Sequence, residues 1–103
     1  MSNLVNEFND YRTKMNEVIL SKDNLVIKRL WNLDTNTYAA GALDITTKEL
    51  LGLVASMVLR CDDCIKYHLG KAHELKVPER SRNACRHFTL FNFLFCKSIY
   101  LGF

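Results

Sequence analysis

The sequence has no long apolar run and no cluster of like charges. No stretch of its 103 residues approaches the roughly 18 apolar residues of a membrane span, and no apolar block follows a basic start, as it would in a secretory signal. Basic and acidic residues are interspersed and the net charge is only +3, so the charge pattern does not favour nucleic-acid binding. We therefore expect a cytoplasmic protein that binds neither membranes nor nucleic acid.

Internal repeats and low-complexity tracts are also lacking. Apolar residues make up 49% of the chain and charged residues 24%, which is the composition of a globular protein and not of a disordered one. A chain of 103 residues is long enough for one compact domain and too short for two. We predict a single domain over residues 1–103.

Four cysteines stand at positions 61, 64, 85 and 96. In the reducing cytoplasm, cysteines are not expected to form a structural disulfide framework. A closely spaced pair in that compartment is more often a redox or metal site, so Cys61 and Cys64 are the first candidates for function. Cys85 and Cys96 have no partner at an informative spacing, and we interpret them as buried or free thiols.

In the first part of the chain, apolar residues recur every three or four positions, a pattern that predicts amphipathic helices. One helix is predicted over residues 4–20. A second, short helix is expected to begin at Asp23 or Asn24, either of which can act as its N-cap. It is expected to carry Leu25, Val26, Leu30 and Trp31 on its buried side. Residues 32–42 are rich in Asn, Asp and Thr, whose side chains bond locally to the backbone, and are predicted to be a connector.

The centre of the chain predicts two adjacent helices. Thr46 and Glu49 can form a capping box that starts the first helix. The almost uniformly apolar residues 50–59 indicate that this helix is buried on most of its surface, in the core or against another subunit. The second helix is predicted over residues 62–75. The predicted fold is therefore all-α, a helical bundle with a Cys-X-X-Cys pair at the start of a helix.

Residues 79–103 differ from the rest of the chain. Aromatic and other large apolar residues are concentrated between positions 88 and 103. We expect such a surface to be buried, by this chain or by a neighbouring one. The segment is too short and too interrupted to be a membrane helix.

Cys61 and Cys64 are three positions apart, so their sulfurs face each other across the first helical turn if Cys61 begins the helix. In that arrangement they can close a disulfide without a large motion. The unpaired N–H groups of a helix start stabilise a thiolate, but Asp62 and Asp63 oppose this effect. The pair therefore needs a further source of activation.

His68 is the candidate for this activation, because it follows Cys64 by one helical turn. An imidazole there can accept the thiol proton, and a carboxylate behind it can hold the ring in the useful tautomer. We select Glu49 as that carboxylate, which requires the chain to fold back near Arg60. Each residue also has a simpler interpretation: His68 as a surface histidine of a helix, and Glu49 as a helix cap.

Glu49 followed by Cys61-X-X-Cys64-X-X-X-His68 resembles the alkylhydroperoxidase D-like, carboxymuconolactone decarboxylase family. The resemblance covers about residues 43–77. It implies an all-helical subunit that assembles into a homo-oligomer, a trimer or hexamer, and that reduces hydroperoxides through its cysteine pair. This chemistry requires neither a metal nor an organic cofactor.

The resemblance also implies a role for each site residue. Cys64 would attack the peroxide and Cys61 would resolve the sulfenic acid into a disulfide. Glu49 and His68 would form the proton relay that activates Cys64. A dithiol or disulfide-reductase partner protein would then reduce the pair again.

Two features depart from that family. Asp63 stands where the best-known members have a second histidine. Residues 79–103 lack the glycine-rich helical stretch that usually follows the motif, so we expect this tail to be an altered or truncated form of it.

Two other functions are open from the residues alone. A decarboxylase or lactone-processing relative would need a base and an acid but no cysteine pair. A zinc-binding or oligomeric interaction module would use Cys61, Cys64 and His68 as ligands, with Cys85 and His87 as the candidate second pair.

Overall fold

The computed structural model describes the backbone of residues 2–100 and the side chains of residues 3–94. The described chain consists of five helices: α1 Ser2–Leu20, α2 Leu25–Tyr38, α3 Ile45–Val58, α4 Asp62–Glu74 and α5 Glu79–Tyr100. No strand occurs among the described residues, and the all-α prediction is confirmed. Within the same residues, no helix is long and apolar enough to cross a membrane.

The chain divides into two compact units, residues 1–37 and residues 38–103. In the first unit, Asn24 accepts a hydrogen bond from the Ile27 backbone N–H at 3.1 Å, so it caps α2 as one of the two predicted caps. Many large apolar side chains of this unit are exposed: Leu4, Val5, Tyr11, Val18, Ile19, Leu20, Leu25, Val26, Leu30 and Leu33. The predicted buried side of α2 is therefore wrong at Leu25, Val26 and Leu30, whereas Trp31 is half-buried. The organisation of the chain as one domain stays a prediction.

The connector predicted over residues 32–42 is wrong for most of its length, because α2 continues to Tyr38. The Oγ1 atoms of Thr35 and Thr37 donate to backbone carbonyls one turn earlier, at 3.1 and 2.7 Å. Threonine side chains often compete with helix formation by bonding to a loop backbone, but here their hydroxyls bond to carbonyls of the helix itself. As a result, Tyr38 is the last residue of a helix and not part of a loop.

The start of α3 also differs from the prediction. Asp44 is the N-cap, and its Oδ1 accepts the Thr47 backbone N–H at 2.7 Å. The prediction of a capping box formed by Thr46 and Glu49 is therefore wrong. Asp44 is the N-cap, and its side chain already accepts a backbone N–H of the first turn. Glu49 lies further along α3 and is buried.

α3 packs against both α4 and α5. Its buried positions are Glu49, Gly52, Leu53 and Ser56, which lie on one face because their spacing follows the helical period. Leu51 and Val58, by contrast, are 54% and 64% exposed. The expectation that this helix is buried on most of its surface is wrong within this chain, and its burial against another subunit stays a prediction.

A tight reversal at Arg60 joins α3 to α4. The Arg60 N–H donates to the Met57 carbonyl at 3.2 Å, and the Cys61 N–H donates to the Ser56 carbonyl at 3.0 Å. Arg60 has a φ of 55°, and these features together form a Schellman motif. The chain thus folds back at the predicted residue, and Cys61 becomes the N-cap of α4.

The tail forms α5, which packs on α3. Its large apolar side chains Phe88, Leu90, Phe91, Phe93 and Leu94 are exposed, so burial of this surface by the chain itself is not observed. The Arg60 guanidinium lies 5.5 Å from the centre of the Phe93 ring. The predictions for Cys96 and for the aromatic side chains after residue 94 lie outside the described side chains.

Candidate active site

Cys61 and Cys64 form a disulfide across the first turn of α4, with their Cα atoms 5.2 Å apart. Cys61 precedes the helix as its N-cap, and its Sγ accepts the Cys64 backbone N–H at 3.3 Å. The predicted placement of the pair at a helix start is confirmed. Both cysteines are partly exposed, so a small molecule can approach them.

Charges of opposite sign act on the two sulfurs. The start of α4 carries a partial positive charge, which stabilises a thiolate. Asp62 and Asp63 lie in the same first turn and are exposed. Their carboxylates stabilise the helix but oppose a thiolate beside them, as the sequence indicated.

Glu49 and His68 form a buried pair between α3 and α4. The Nδ1 atom of His68 lies 2.7 Å from the Oε2 atom of Glu49. His68 is only 7% exposed and Glu49 only 5%, so His68 is not a surface histidine. Since an ionised carboxylate can only accept a hydrogen bond, Nδ1 donates to it. Nε2 is then the nitrogen that carries the lone pair whenever the ring is neutral.

Tyr38 contacts the second nitrogen of the same ring. Its hydroxyl lies 3.2 Å from the Nε2 atom of His68, and the two rings are stacked with their centres 5.2 Å apart. Tyr67 meets His68 edge-on, at 5.3 Å between ring centres. His68 is therefore held at both nitrogens and against two aromatic rings.

Gly52 allows Tyr38 and His68 to approach the backbone of α3. A Cβ atom at this position would lie 2.7 Å from Cε1 and 3.0 Å from Nδ1 of His68, and closer still to the Tyr38 hydroxyl. Real Cβ atoms essentially never make contacts shorter than 3.0 Å, so any other residue would displace one of the two rings. The Gly52 carbonyl accepts the buried Ser56 hydroxyl at 2.6 Å.

Cys85, His73 and His87 are the other cysteine and histidine residues whose side chains the structure describes. Cys85 is a free thiol, and burial raises its pKa. His73 is exposed on α4. Among the residues that the structure describes, no group of three or more histidine, cysteine, aspartate or glutamate side chains could hold a metal ion, so Cys85 and His87 do not complete a zinc site there.

The sequence profile of the carboxymuconolactone decarboxylase family matches residues 25–87. This is more than half of the chain, and it includes the disulfide and the buried pair.

The chain belongs to the carboxymuconolactone decarboxylase family.

Two crystal structures of a Thermotoga maritima protein are similar to this chain. The first is 44% identical, with a TM-score of 0.79 over 82% of this chain and 75% of that one. The second is 42% identical, with a TM-score of 0.76 over 81% of this chain and 70% of that one. The second is described as a carboxymuconolactone decarboxylase family protein with a suggested involvement in the antioxidative response. No curated protein sequence matches the chain.

Two residues of the site in this chain, Tyr38 and Gly52, were not predicted from the sequence. Tyr38 was assigned to the connector, although it follows Trp31 by two helical turns and both are half-buried. Gly52 was counted within the apolar run, although it belongs to the stripe Glu49, Gly52, Leu53 and Ser56. A carboxylate, a glycine and a serine on one face of an apolar helix are the signal that indicates a functional face.

Proposed function

We propose that this protein reduces hydroperoxides through the Cys61–Cys64 pair. The observation that carries the proposal is the disulfide at the start of α4, followed one turn later by a histidine that is hydrogen-bonded to a buried glutamate. The family consists of enzymes, and the suggested antioxidative involvement of the similar Thermotoga maritima protein agrees with this chemistry.

The reaction begins with the reduced pair. The Cys64 thiolate attacks one peroxide oxygen, the O–O bond breaks, and an alcohol leaves after its oxygen gains a proton. Cys64 is now a sulfenic acid. The Cys61 thiol attacks its sulfur, water leaves, and the disulfide forms. Two electrons thus pass from the two thiols to the peroxide.

Glu49 and His68 supply the base for the first step. Glu49 holds the ring with Nδ1 protonated and Nε2 basic, which is the tautomer that can take up the Cys64 proton. The buried carboxylate also stabilises the imidazolium that forms. This base offsets the unfavourable effect of Asp62 and Asp63 on the thiolate.

Completion of the cycle requires a partner. An external dithiol or a disulfide-reductase protein would reduce the Cys61–Cys64 disulfide by thiol–disulfide exchange. Cys61 and Cys64 are partly exposed, which makes the pair accessible for that step. We place this partner, like the protein itself, in the cytoplasm.

We also propose that the working form is a homo-oligomer, a trimer or hexamer. Large apolar side chains are exposed on α5 and in the unit of residues 1–37, and surfaces of this kind in a water-soluble protein usually pack against another chain. Light scattering coupled to size-exclusion chromatography would give the mass. A monomer at micromolar concentration would contradict this part of the proposal.

A decarboxylase or lactone-processing activity is the second candidate, because the family name and the buried Glu49–His68 pair fit acid–base chemistry. It needs no cysteine. The two functions are therefore separated by cysteine variants, which leave a decarboxylase active and stop a peroxidase.

The decisive assay is turnover of an organic hydroperoxide with a dithiol as reductant. We expect Cys64→Ser to abolish turnover. We expect Cys61→Ser to leave a sulfenic acid on Cys64 that a sulfenic-acid reagent traps. Cys85→Ser is the matched control and is expected to keep full activity, because partial burial raises the pKa of the Cys85 thiol. Equal rates in wild type and Cys64→Ser would contradict the proposed function.

A further inference from the structure

The Tyr38 hydroxyl occupies the ring nitrogen of His68 that can accept a proton. Glu49 lies 2.7 Å from Nδ1, and the Tyr38 hydroxyl lies 3.2 Å from Nε2. A neutral imidazole has one donor and one acceptor nitrogen. A proton that leaves a thiol can therefore reach Nε2 only by displacing this hydroxyl or by passing through it.

The packing around the ring favours passage through the hydroxyl. The rings of Tyr38 and His68 are nearly parallel, at 26°, and Tyr67 contacts His68 edge-on at 72°. The backbone of Gly52 lies against the Cε1–Nδ1 edge of the ring, where not even a Cβ atom fits. Three titratable groups contact the imidazole in the described part of the chain: Glu49 and Tyr38 bond to its nitrogens, and Tyr67 meets its ring.

We propose that Tyr38 completes the proton relay of the site. It fixes Nε2 as the accepting nitrogen and carries the Cys64 proton to it. The Tyr38 oxygen takes up the thiol proton while its own hydroxyl proton moves to Nε2, so the tyrosine is unchanged and a thiolate and an imidazolium form. The identity of the proton donor rests on the proposed peroxidase function, whereas the hydrogen bond to His68 does not.

The hydrogen bond is tested by nitrogen-15 NMR of the full-length protein labelled at histidine, with His68 assigned by comparison with His68→Gln. In the wild type we expect the tautomer protonated at Nδ1. Tyr38→Phe keeps the stacked ring and removes the hydroxyl, so the Nε2 resonance should shift. Tyr11→Phe, at an exposed tyrosine of α1, should leave that resonance unchanged.

The relay is tested by the rate at which iodoacetamide alkylates Cys64 in the Cys61→Ser background, followed by peptide mass spectrometry. At about pH 7, Tyr38→Phe should lower this rate roughly 3- to 10-fold, the effect of losing one hydrogen bond. Above about pH 9 the rates should converge, because the thiol then ionises without a base. A general loss of structure would change the rate at every pH.

Failure of the inference differs from failure of the proposed function. Wild-type His68 protonated at Nε2, or an unchanged Nε2 resonance in Tyr38→Phe, would overturn the inference even if the wild type reduces peroxides. If Tyr38→Phe left the Cys64 alkylation rate unchanged at about pH 7, the inference would be overturned as well. The same holds if Tyr38→Phe still alkylated more slowly above about pH 9. The wild-type tautomer gives a result even if Tyr38→Phe does not fold.

Discussion

Glu49 and His68 are nineteen positions apart in the sequence and share a buried hydrogen bond of 2.7 Å. Each comes from a different helix, and the Arg60 reversal brings the two helices together. The carboxylate reaches one nitrogen of the imidazole, and the tyrosine at the end of α2 reaches the other. This arrangement connects a proton-accepting group to the helix that carries the cysteine pair.

Glu49→Gln should lower peroxide turnover roughly 100-fold, a typical effect of impairing a general base. The amide keeps the size of the side chain but removes the charge that stabilises an imidazolium, and its NH₂ group favours the wrong tautomer. Steady-state kinetics with an organic hydroperoxide would measure the loss. The control is Glu74→Gln, which removes an exposed carboxylate paired with Lys71 and should leave turnover unchanged. Equal turnover in wild type and Glu49→Gln would remove this carboxylate from the mechanism.

Gly52→Ala should destabilise the fold by about 1–3 kcal/mol, the usual effect of overfilling a packed interior. The higher helix propensity of alanine offsets about 1 kcal/mol of this, and a net loss is expected because the new methyl group would collide with both His68 and Tyr38. Urea unfolding followed by circular dichroism would measure the change.

Gly70→Ala is the matched control for that substitution. Gly70 lies in α4 and is exposed, and a Cβ atom there meets no heavy atom within 4 Å. Alanine should therefore stabilise the protein by roughly 0.5–1 kcal/mol. If the two variants changed stability in the same direction, the close packing around Gly52 would be disproved.

The sequence was sufficient for the elements whose signal is local. The periodic apolar residues predicted α1, and the Cys-X-X-Cys pair with its two aspartates marked the start of α4. The Schellman reversal at Arg60 agreed with the fold-back that the pairing of Glu49 with His68 needs. These features depend on neighbours within a few positions, which a single sequence displays directly.

The parts that were missed depend on choices between competing interactions. The threonines of α2 can bond either to a loop backbone or to helix carbonyls, and the sequence does not distinguish the two. They bond to helix carbonyls, so α2 extends to Tyr38 and this residue contacts His68. Asp44 and Thr46 are both good N-caps, and the aspartate is the one used. The role of Gly52 arises only when α4 is packed against α3, so no local pattern reveals it.

Asp44→Asn should change how stability depends on pH. Hydrogen bonds from the side chain and the backbone of Thr47 lower the pKa of the Asp44 carboxyl. Because the folded pKa lies below the unfolded value of about 3.9, this group stabilises the fold above that value, and the contribution is lost as the pH falls through the folded pKa. Asparagine caps equally well without a charge.

Thermal unfolding at about pH 7 and about pH 3 would measure this effect. The variant should resemble the wild type at the higher pH and lose less stability than the wild type on acidification. Asp10→Asn removes one carboxylate from exposed α1 and is the control for the change in net charge. If Asp44→Asn lost more stability on acidification than the wild type, the capping role would be contradicted.

The most direct measurement for the whole account is the stoichiometric oxidation of the fully reduced protein by one equivalent of an organic hydroperoxide, followed by peptide mass spectrometry without added reductant. The account predicts one alcohol per chain and a mass loss of about two daltons on the peptide that contains Cys61 and Cys64. It also predicts unmodified Cys85. A reduced Cys61–Cys64 pair after the peroxide has been consumed, or oxidation confined to Cys85, would contradict it.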